Sequence, residues 1–168
     1  MIRAARFIDV PALVALLQAQ HPRTIYAPYG DVDVDYARKL LAQMVQRHGG
    51  VHNGGTCVFV AENREGVIDA FVAGGLSPVY QVGTRLMAQD VFWIAREGAD
   101  MQSAFGVLKA YVEWAESCPK VIEIFLSHLD VTPESAMLGR LYRRMGFDPC
   151  GAAYRRFVNL PTQQSEAA

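Results

Sequence analysis

Residues 86–117 read LMAQDVFWIAREGADMQSAFGVLKAYVEWAES, a strand-like apolar segment followed closely by a helix-forming one. Branched and aromatic residues concentrate in 86–95, which predicts a strand. Residues 101–117 are predicted to form a helix, for which Asp100 is a typical N-cap. A short loop at 96–100 therefore joins a strand to the long central helix of the chain.

The segments before this strand predict two helices and three further strands. Asp9 is expected to cap the first helix, with Pro11 near its start. The two strands immediately upstream of 86–95 are separated by a short turn, so an antiparallel meander is expected. The predicted strands are 2–7, 56–63 and 67–80, and the predicted helices are 11–20 and 34–48.

The segments after the central helix predict a strand at 121–129, a helix and a last strand at 152–160. The helix lies in ESAMLGRLYRRMGF, residues 134–147, where apolar residues recur at the spacing of one helix face. Thr132 is expected as its N-cap, and Gly146 is expected to end it in a left-handed conformation. On this pattern alone Tyr142 is interpreted as a residue of the core or its rim.

The resulting order, β-α-α-β-β-β-α-β-α-β, predicts an α/β (α+β) fold in which helices flank one mixed, mostly antiparallel sheet. A single domain is expected over residues 1–160. The polar tail 161–168 is too poor in apolar residues to order itself.

Composition and charge restrict the class of protein. The chain has 168 residues, of which 51% are hydrophobic and 20% charged, and its formal charge is −1. No basic run indicates nucleic-acid binding. The N-terminal segment fits neither a signal peptide nor a membrane span, so a soluble cytoplasmic protein is expected. Three separated cysteines are interpreted as reduced, partly buried thiols, and no metal site is expected (Cys57, Cys118, Cys150).

The glycine-rich stretch HGGVHNGG, residues 48–55, precedes a strand and lacks the Lys-Ser/Thr that follows a Walker-type phosphate loop. His48 and His52 have the spacing of helical metal ligands but occupy a loop. Both imidazoles are therefore expected to be solvated.

The order of elements, together with YVEWAES at 111–117 and LYRRMGF at 141–147, resembles the GNAT acyltransferase superfamily over residues 2–160. The resemblance implies a GNAT-like fold and transfer of an acyl group, with acetyl expected, from coenzyme A to an amine by direct attack. Acetyl-CoA is then the acyl donor, and the acceptor is a small-molecule or peptide amine.

The family's pyrophosphate loop aligns with REGADMQSA, residues 96–104, in a degenerate form. Asp100 and Gln102 stand where the family has glycines, and Ala99 replaces a basic or amide residue. Backbone N–H groups at a helix N-terminus receive a pyrophosphate, whereas a carboxylate there opposes it. The resemblance assigns cofactor contacts to the following residues: Met101, Gln102, Ser103, Ala104 and, in place of a family asparagine, Ser135.

The resemblance also implies the catalytic groups. Tyr142 occupies the position of a tyrosine that protonates the departing thiolate. The backbone N–H groups around Trp93 and Ile94 would polarise the thioester carbonyl. Asp90 and His128 are the two candidate bases for the acceptor amine; their alternatives are a solvated strand-end carboxylate and a structural histidine.

Tyr26 and Tyr29 lie in a loop that is more aromatic than a connection requires, so they are candidates for substrate binding; the alternative is that both rings only fasten the loop. Apolar strand edges are compatible with a homodimer. Because the phosphate loop is degenerate, a catalytically inactive GNAT-fold binding or assembly protein, or an acyl-CoA sensor, is the alternative function.

Overall fold

The computed structural model describes residues 1–127 and 135–158. The chain divides into two compact units. The sheet unit comprises residues 1–20 and 32–127, and the second unit comprises residues 21–31 together with the described residues 135–158. Each unit is treated separately below.

The sheet unit contains the predicted meander. Among the described residues, five strands form one sheet in the order β1-β2-β3-β4-β5. Neighbouring strands from β1 to β4 are antiparallel, whereas β4 and β5 are parallel. The strands are β1 (Ile2–Ala4), β2 (Thr56–Glu62), β3 (Ile68–Pro78), β4 (Leu86–Ala95) and β5 (Val121–Phe125).

Three helices of the sheet unit cover the two faces of the sheet. The core beneath α1 and α2 contains Leu13 and Leu41 packed with Val58 and Phe71, all fully buried. Tyr111 of α3 packs against Gly74. Successive residues of a strand face opposite sides, and the residue before Gly74 lies in the core beneath α1 and α2. Gly74 therefore faces the other side of the sheet, which α3 covers. The helices are α1 (Val10–Gln20), α2 (Val34–Gln46), α3 (Met101–Glu116) and, in the second unit, α4 (Ser135–Arg144).

Asp9 does not act as the simple N-cap of α1 that the sequence predicts. It lies in a short 3-10 turn before the helix, and its carboxylate accepts hydrogen bonds from the Arg6 backbone N–H and the Arg3 guanidinium. Burial would raise the pKa of this carboxyl, but the hydrogen bonds outweigh it and lower the pKa to about 2. Asp9 therefore ties β1 to the turn that leads into α1.

The predicted last strand is wrong over its described part, because residues 152–158 form no strand. If this segment were a strand, alternation would place Arg155 on the same face as Phe157, and Arg156 on the same face as Tyr154. Neither face would then be uniformly apolar. The remainder of that prediction, Thr132, Glu134 and the tail 161–168 lie outside the described residues. Cys150 is exposed rather than partly buried, whereas Cys57 and Cys118 are buried.

His48 is not solvated, which corrects the sequence prediction, although His52 is exposed. The Val58 backbone N–H lies just beyond the end of the β1 ladder and donates to His48 Nδ1 at 2.9 Å. The ring also packs edge-to-face on Phe59, with centroids 4.9 Å apart. Accepting at Nδ1 requires the neutral imidazole, and burial lowers the pKa of His48 below its ordinary value of 6.5.

This contact predicts a pH-dependent contribution to stability. Below about pH 6.5 His48 is protonated in the unfolded chain but remains neutral to a lower pH in the folded chain. The contribution of His48 to the free energy of unfolding is therefore fully present above that pH and is lost as the pH falls. We expect His48→Leu to cost about 1–3 kcal/mol at pH 7.5, because the Val58 N–H loses its acceptor. The variant should also lose less stability than the wild type between pH 7.5 and 5. Urea unfolding at both pH values measures this.

The exposed His52 provides the control, since His52→Leu should leave both the stability and its pH dependence close to those of the wild type. An undiminished pH dependence in His48→Leu would show that other groups cause it.

Candidate active site

A β-bulge interrupts the pairing of β3 with β4. Ala73 pairs with Phe92, but Gly74 pairs with Asp90, so Val91 is an extra residue on β4. A bulge of this kind turns two successive side chains toward one face and bends the strand. Val91 and Phe92 consequently lie on the face covered by α1 and α2, whereas Asp90 shares the opposite face with Gly74.

The ladder between β4 and β5 ends beside this bulge. Its last pair is Gln89 with Phe125, where β5 itself ends. Just beyond it, the Ser127 backbone N–H donates to Asp90 Oδ1 at 3.1 Å. Asp90 therefore connects β4 to the chain that leaves β5, and it places a carboxylate where the regular pairing stops.

Asp90 is half-buried, and its surroundings favour the protonated form. Burial raises the pKa of its carboxyl above the ordinary range, and the hydrogen bond from Ser127 only partly opposes this. The Tyr111 hydroxyl is buried and has no hydrogen-bond partner among the described residues. Burial and the nearby Asp90 both raise the pKa of Tyr111. A half-buried carboxyl with a raised pKa is a stronger base than an exposed one and is suited to proton transfer.

The backbone of β4 beyond the bulge has two distinct edges. The Arg96 N–H donates to the Asp69 carbonyl on β3 at 2.7 Å, so alternation directs the Ile94 N–H toward β3 as well. The Trp93 N–H faces the edge away from β3. Of the two predicted N–H groups, that of Ile94 is therefore directed toward β3 and that of Trp93 away from it. The Trp93 indole donates to the Ala104 carbonyl at 2.9 Å.

The loop at residues 96–100, predicted to bind phosphate, leads into α3, and the Asp100 carboxylate occupies the helix N-terminus. Asp100 is the N-cap of α3, and its side chain accepts from the Gln102 N–H at 3.1 Å. The Asp100 carbonyl accepts from Ser103 at 2.9 Å and from Ala104 at 3.4 Å. Met101 is exposed at the start of the helix. Three of the four expected donors therefore already have partners within the chain.

In the second unit, Tyr142 is buried on α4, with its ring centroid 6.3 Å from that of Phe147. The Tyr142 carbonyl accepts from the Phe147 N–H, and Gly146 has φ +88°, so the predicted left-handed helix end is confirmed. Ser135 begins α4. His128 lies outside the described residues, and its candidacy as a base stays a prediction.

Tyr26 and Tyr29 also belong to the second unit, where both contact Phe157. The ring centroids lie 6.4 and 5.3 Å from that of Phe157, and the Arg155 guanidinium lies 5.4 Å from the same ring. The two tyrosines remain 41% and 37% exposed. These contacts fasten the loop, as one of the two interpretations predicts. They also leave aromatic surface exposed, so substrate binding by the two tyrosines stays a prediction.

Within residues 1–127 and 135–158, no group of three or more His, Cys, Asp or Glu side chains is placed to hold a metal ion. In the same part of the chain, no helix has the length and apolar character needed to cross a membrane.

Sequence reasoning missed Gly74 and Tyr111. The signal was the pair Gly74–Gly75 in the interior of a strand, which often marks a bulge or a close approach. A Cβ atom at Gly74 would overlap the Tyr111 ring. Glycine is therefore required at this position so that Tyr111 can lie against the sheet beside Asp90.

Comparison with known proteins identifies the fold. No protein-family model and no curated protein matches the chain. A Trypanosoma brucei acetyltransferase is similar in structure (TM-score 0.65, 15% identity, 94% of this chain and 99% of that one). A ribosomal-protein-alanine N-acetyltransferase from Brucella melitensis is also similar (TM-score 0.68, 22% identity, 90% of this chain and 86% of that one). So is a transcriptional regulator from Bacillus halodurans (TM-score 0.66, 14% identity, 94% of this chain and 99% of that one). At these identities the likeness establishes the fold, and the predicted GNAT-type fold is confirmed.

Proposed function

We propose that this protein is an acyl-CoA-dependent N-acyltransferase that transfers acetyl to a small-molecule or peptide amine by direct attack. The observation that carries the proposal is the half-buried Asp90 carboxylate at the bulge, where the β4–β5 ladder ends. The acetyltransferase names of structural neighbours that share the fold support the same reaction.

Asp90 is the proposed base. An alkylammonium must lose a proton before its nitrogen can attack a carbonyl carbon, and Asp90 accepts this proton directly or through one water molecule. Its raised pKa makes the carboxylate a stronger base than an exposed aspartate. The alternative base, His128, lies outside the described residues.

The remaining roles concern the carbonyl oxygen and the leaving group. Acetyl-CoA supplies the acyl group as a thioester. The Trp93 backbone N–H stabilises negative charge on the carbonyl oxygen as the amine attacks. Tyr142 donates its phenolic proton to the sulfur as the C–S bond breaks, a role that rests on its place in the LYRRMGF motif. The ammonium nitrogen loses two protons overall: one passes to Asp90 before attack, and the other returns to the Tyr142 phenolate as the amide forms, so that the thiol leaves and the charges balance.

Binding of the donor requires a local change at α3. The start of α3 suits a phosphate because its N–H groups and dipole favour an anion, but Asp100 now supplies that anion. The Asp100 side chain must rotate away before a phosphate can approach Gln102. This self-capping is the specific observation that favours the alternative, a GNAT-fold binding protein without catalysis.

Asp100→Asn removes the negative charge at the start of α3 while keeping a side chain that can cap the helix. Asparagine caps a helix about as well as aspartate, so the free energy of unfolding should change by less than about 0.5 kcal/mol. Removal of the negative charge should strengthen acetyl-CoA binding by about 0.3–1 kcal/mol. Calorimetric titration with acetyl-CoA and thermal unfolding of the same samples measure the two quantities.

Asp33 offers a matched control because it caps α2 in the same way, accepting from the Tyr36 N–H at 2.9 Å. Asp33→Asn should leave acetyl-CoA affinity unchanged. If neither the wild type nor Asp100→Asn binds acetyl-CoA at millimolar concentration, the acyltransferase proposal fails and the binding-protein alternative replaces it.

Asp90→Asn tests the proposed base. The rate of thiol release from acetyl-CoA, measured with a panel of small primary amines, should rise with pH in the wild type as Asp90 loses its proton. The asparagine variant should lose this rise and fall by about 10²–10⁴-fold near neutral pH. Glu123→Gln, at an exposed carboxylate on β5, is the control. An unchanged pH profile in Asp90→Asn would assign the base to another group.

Tyr142→Phe tests the proposed acid while keeping the packed ring. Turnover should fall by about 10²-fold or more, with little change in acetyl-CoA affinity, because only the proton donor is lost. Tyr36→Phe, at an exposed tyrosine of α2, should have no effect. Wild-type turnover in Tyr142→Phe would mean that Tyr142 serves only in packing.

A further inference from the structure

The α3 face of the sheet holds a buried hydroxyl that none of the proposed catalytic steps uses. The Tyr111 side chain is fully buried, and its hydroxyl has no hydrogen-bond partner among the described residues. A buried donor without a partner opposes folding, so native proteins keep few of them and each calls for an explanation.

Strand register places two polar side chains beside this hydroxyl. Gly74 on β3 pairs with Cys57 on β2 and with Asp90 on β4, and residues paired in this way face the same side of the sheet. The Tyr111 ring lies over the middle of this row, because a Cβ atom at Gly74 would overlap its Cε2 atom. The hydroxyl is bonded to the ring carbon next to Cε2, so the Cys57 thiol and the Asp90 carboxylate are its polar neighbours across the sheet.

Of these two neighbours, Asp90 is the stronger hydrogen-bond acceptor. Burial raises the pKa of the Cys57 thiol, so its sulfur stays protonated and accepts only weakly. An ionised carboxylate forms a charge-assisted hydrogen bond, which is stronger. Burial and the two neighbours raise the pKa of Tyr111, so the phenol keeps its proton when Asp90 is ionised and remains a donor.

A hydrogen bond from Tyr111 would hold Asp90 from a second side. The Ser127 N–H donates to Asp90 Oδ1 at 3.1 Å from the chain that leaves β5, on one side of β4. Gly74 and the Tyr111 ring lie on the other side of β4, because β4 stands between β3 and β5. Donors on opposite sides restrict the orientation of a carboxylate more than one donor does.

We propose that Tyr111 is a positioning residue for Asp90, and that its hydroxyl donates to the carboxylate through one internal water molecule or after a small rotation of the Asp90 side chain. The inference rests on the proposed function, in which Asp90 is the base. Tyr111 acts through Asp90: its hydrogen bond favours the ionised form and holds the carboxylate at the end of the β4–β5 ladder.

The other groups around Asp90 allow the effect of Tyr111 to be isolated. Within the sheet unit, Tyr111 of α3 and Cys57 of β2 are the titratable side chains that share its face. Glu123 of β5 is paired with a residue that alternation places on the opposite face. Within residues 1–127 and 135–158, burial and hydrogen bonds change the pKa of Asp90, and no charged side chain does.

Carboxyl-carbon NMR of the intact, aspartate-labelled chain measures the pKa of Asp90 without any substrate. The Asp90 signal is identified by its loss in Asp90→Asn. Tyr111→Phe removes the hydroxyl and keeps the packed ring. We expect this variant to raise the pKa of Asp90 by about one pH unit, because the ionised form loses a hydrogen-bond donor. An unchanged pKa would overturn the inference.

Cys57→Ala is the matched control, because it removes the other polar neighbour of the hydroxyl from the same face. It should leave the pKa of Asp90 as in the wild type. Tyr36→Phe, at an exposed tyrosine of α2, should also leave it unchanged. If Cys57→Ala raised the pKa of Asp90 as much as Tyr111→Phe does, altered packing would explain both shifts and the inference would be wrong.

The wild type supplies a second measurement that requires no variant of Tyr111 to fold. Because this phenol stays protonated, its ring-carbon signals should move with the same midpoint as the ionisation of Asp90. Asp90→Asn should abolish that movement. Tyr111 signals that stay constant while Asp90 titrates would overturn the inference.

Kinetics distinguish the failure of this inference from the failure of the proposed function. In Tyr111→Phe, the midpoint of the Asp90-dependent rise in kcat/KM should move upward by about one pH unit, with acetyl-CoA affinity unchanged. A shifted Asp90 pKa without acetyl transfer to any amine would uphold the contact and refute the acyltransferase function. Acetyl transfer with an Asp90-dependent rise that Tyr111→Phe does not move would uphold the function and overturn this inference.

Discussion

The extra residue in β4 is the constraint on which the candidate site depends. Without Val91, every side chain after Asp90 would lie on the opposite face of the sheet, because side-chain direction alternates with a period of two. The bulge leaves Phe92 and Ile94 in the core beneath α1 and α2. It also leaves Asp90 on the α3 face and Val91 on the face covered by α2, so one local irregularity fixes the position of the proposed base.

Two glycines of β3 lie beside the bulge. Gly74 allows the Tyr111 ring to lie against the sheet, where a Cβ atom would overlap it, and Gly75 leaves open space on the other face. The two residues are adjacent on one strand and face opposite sides, so the same pair permits close packing on one face and open space on the other.

Two aspartates of the sheet unit show how surroundings determine the use of a carboxylate. Asp90 is half-buried beside Tyr111 and accepts a hydrogen bond from the Ser127 N–H, and burial raises its pKa. Asp100 is exposed at a helix N-terminus, where an anion is favoured and an N–H group is available. The first is therefore suited to proton transfer, whereas the second holds a helix end that would otherwise receive an external anion.

The sequence by itself determined most of the local elements and the antiparallel meander, because hydrophobic period, caps and turn residues act over a few neighbours. The GNAT-type fold was implied by the resemblance of the chain to that superfamily. The sequence also predicted the N-cap at Asp100, which the structure confirms. It failed at residues 152–158, at Asp9 and at His48, whose environments depend on strands or turns distant in sequence. Only the tertiary structure decided the Val91 bulge and the contact of Gly74 with Tyr111. Strand register and packing across the sheet create these features, and neither is encoded by the spacing of residues within one segment.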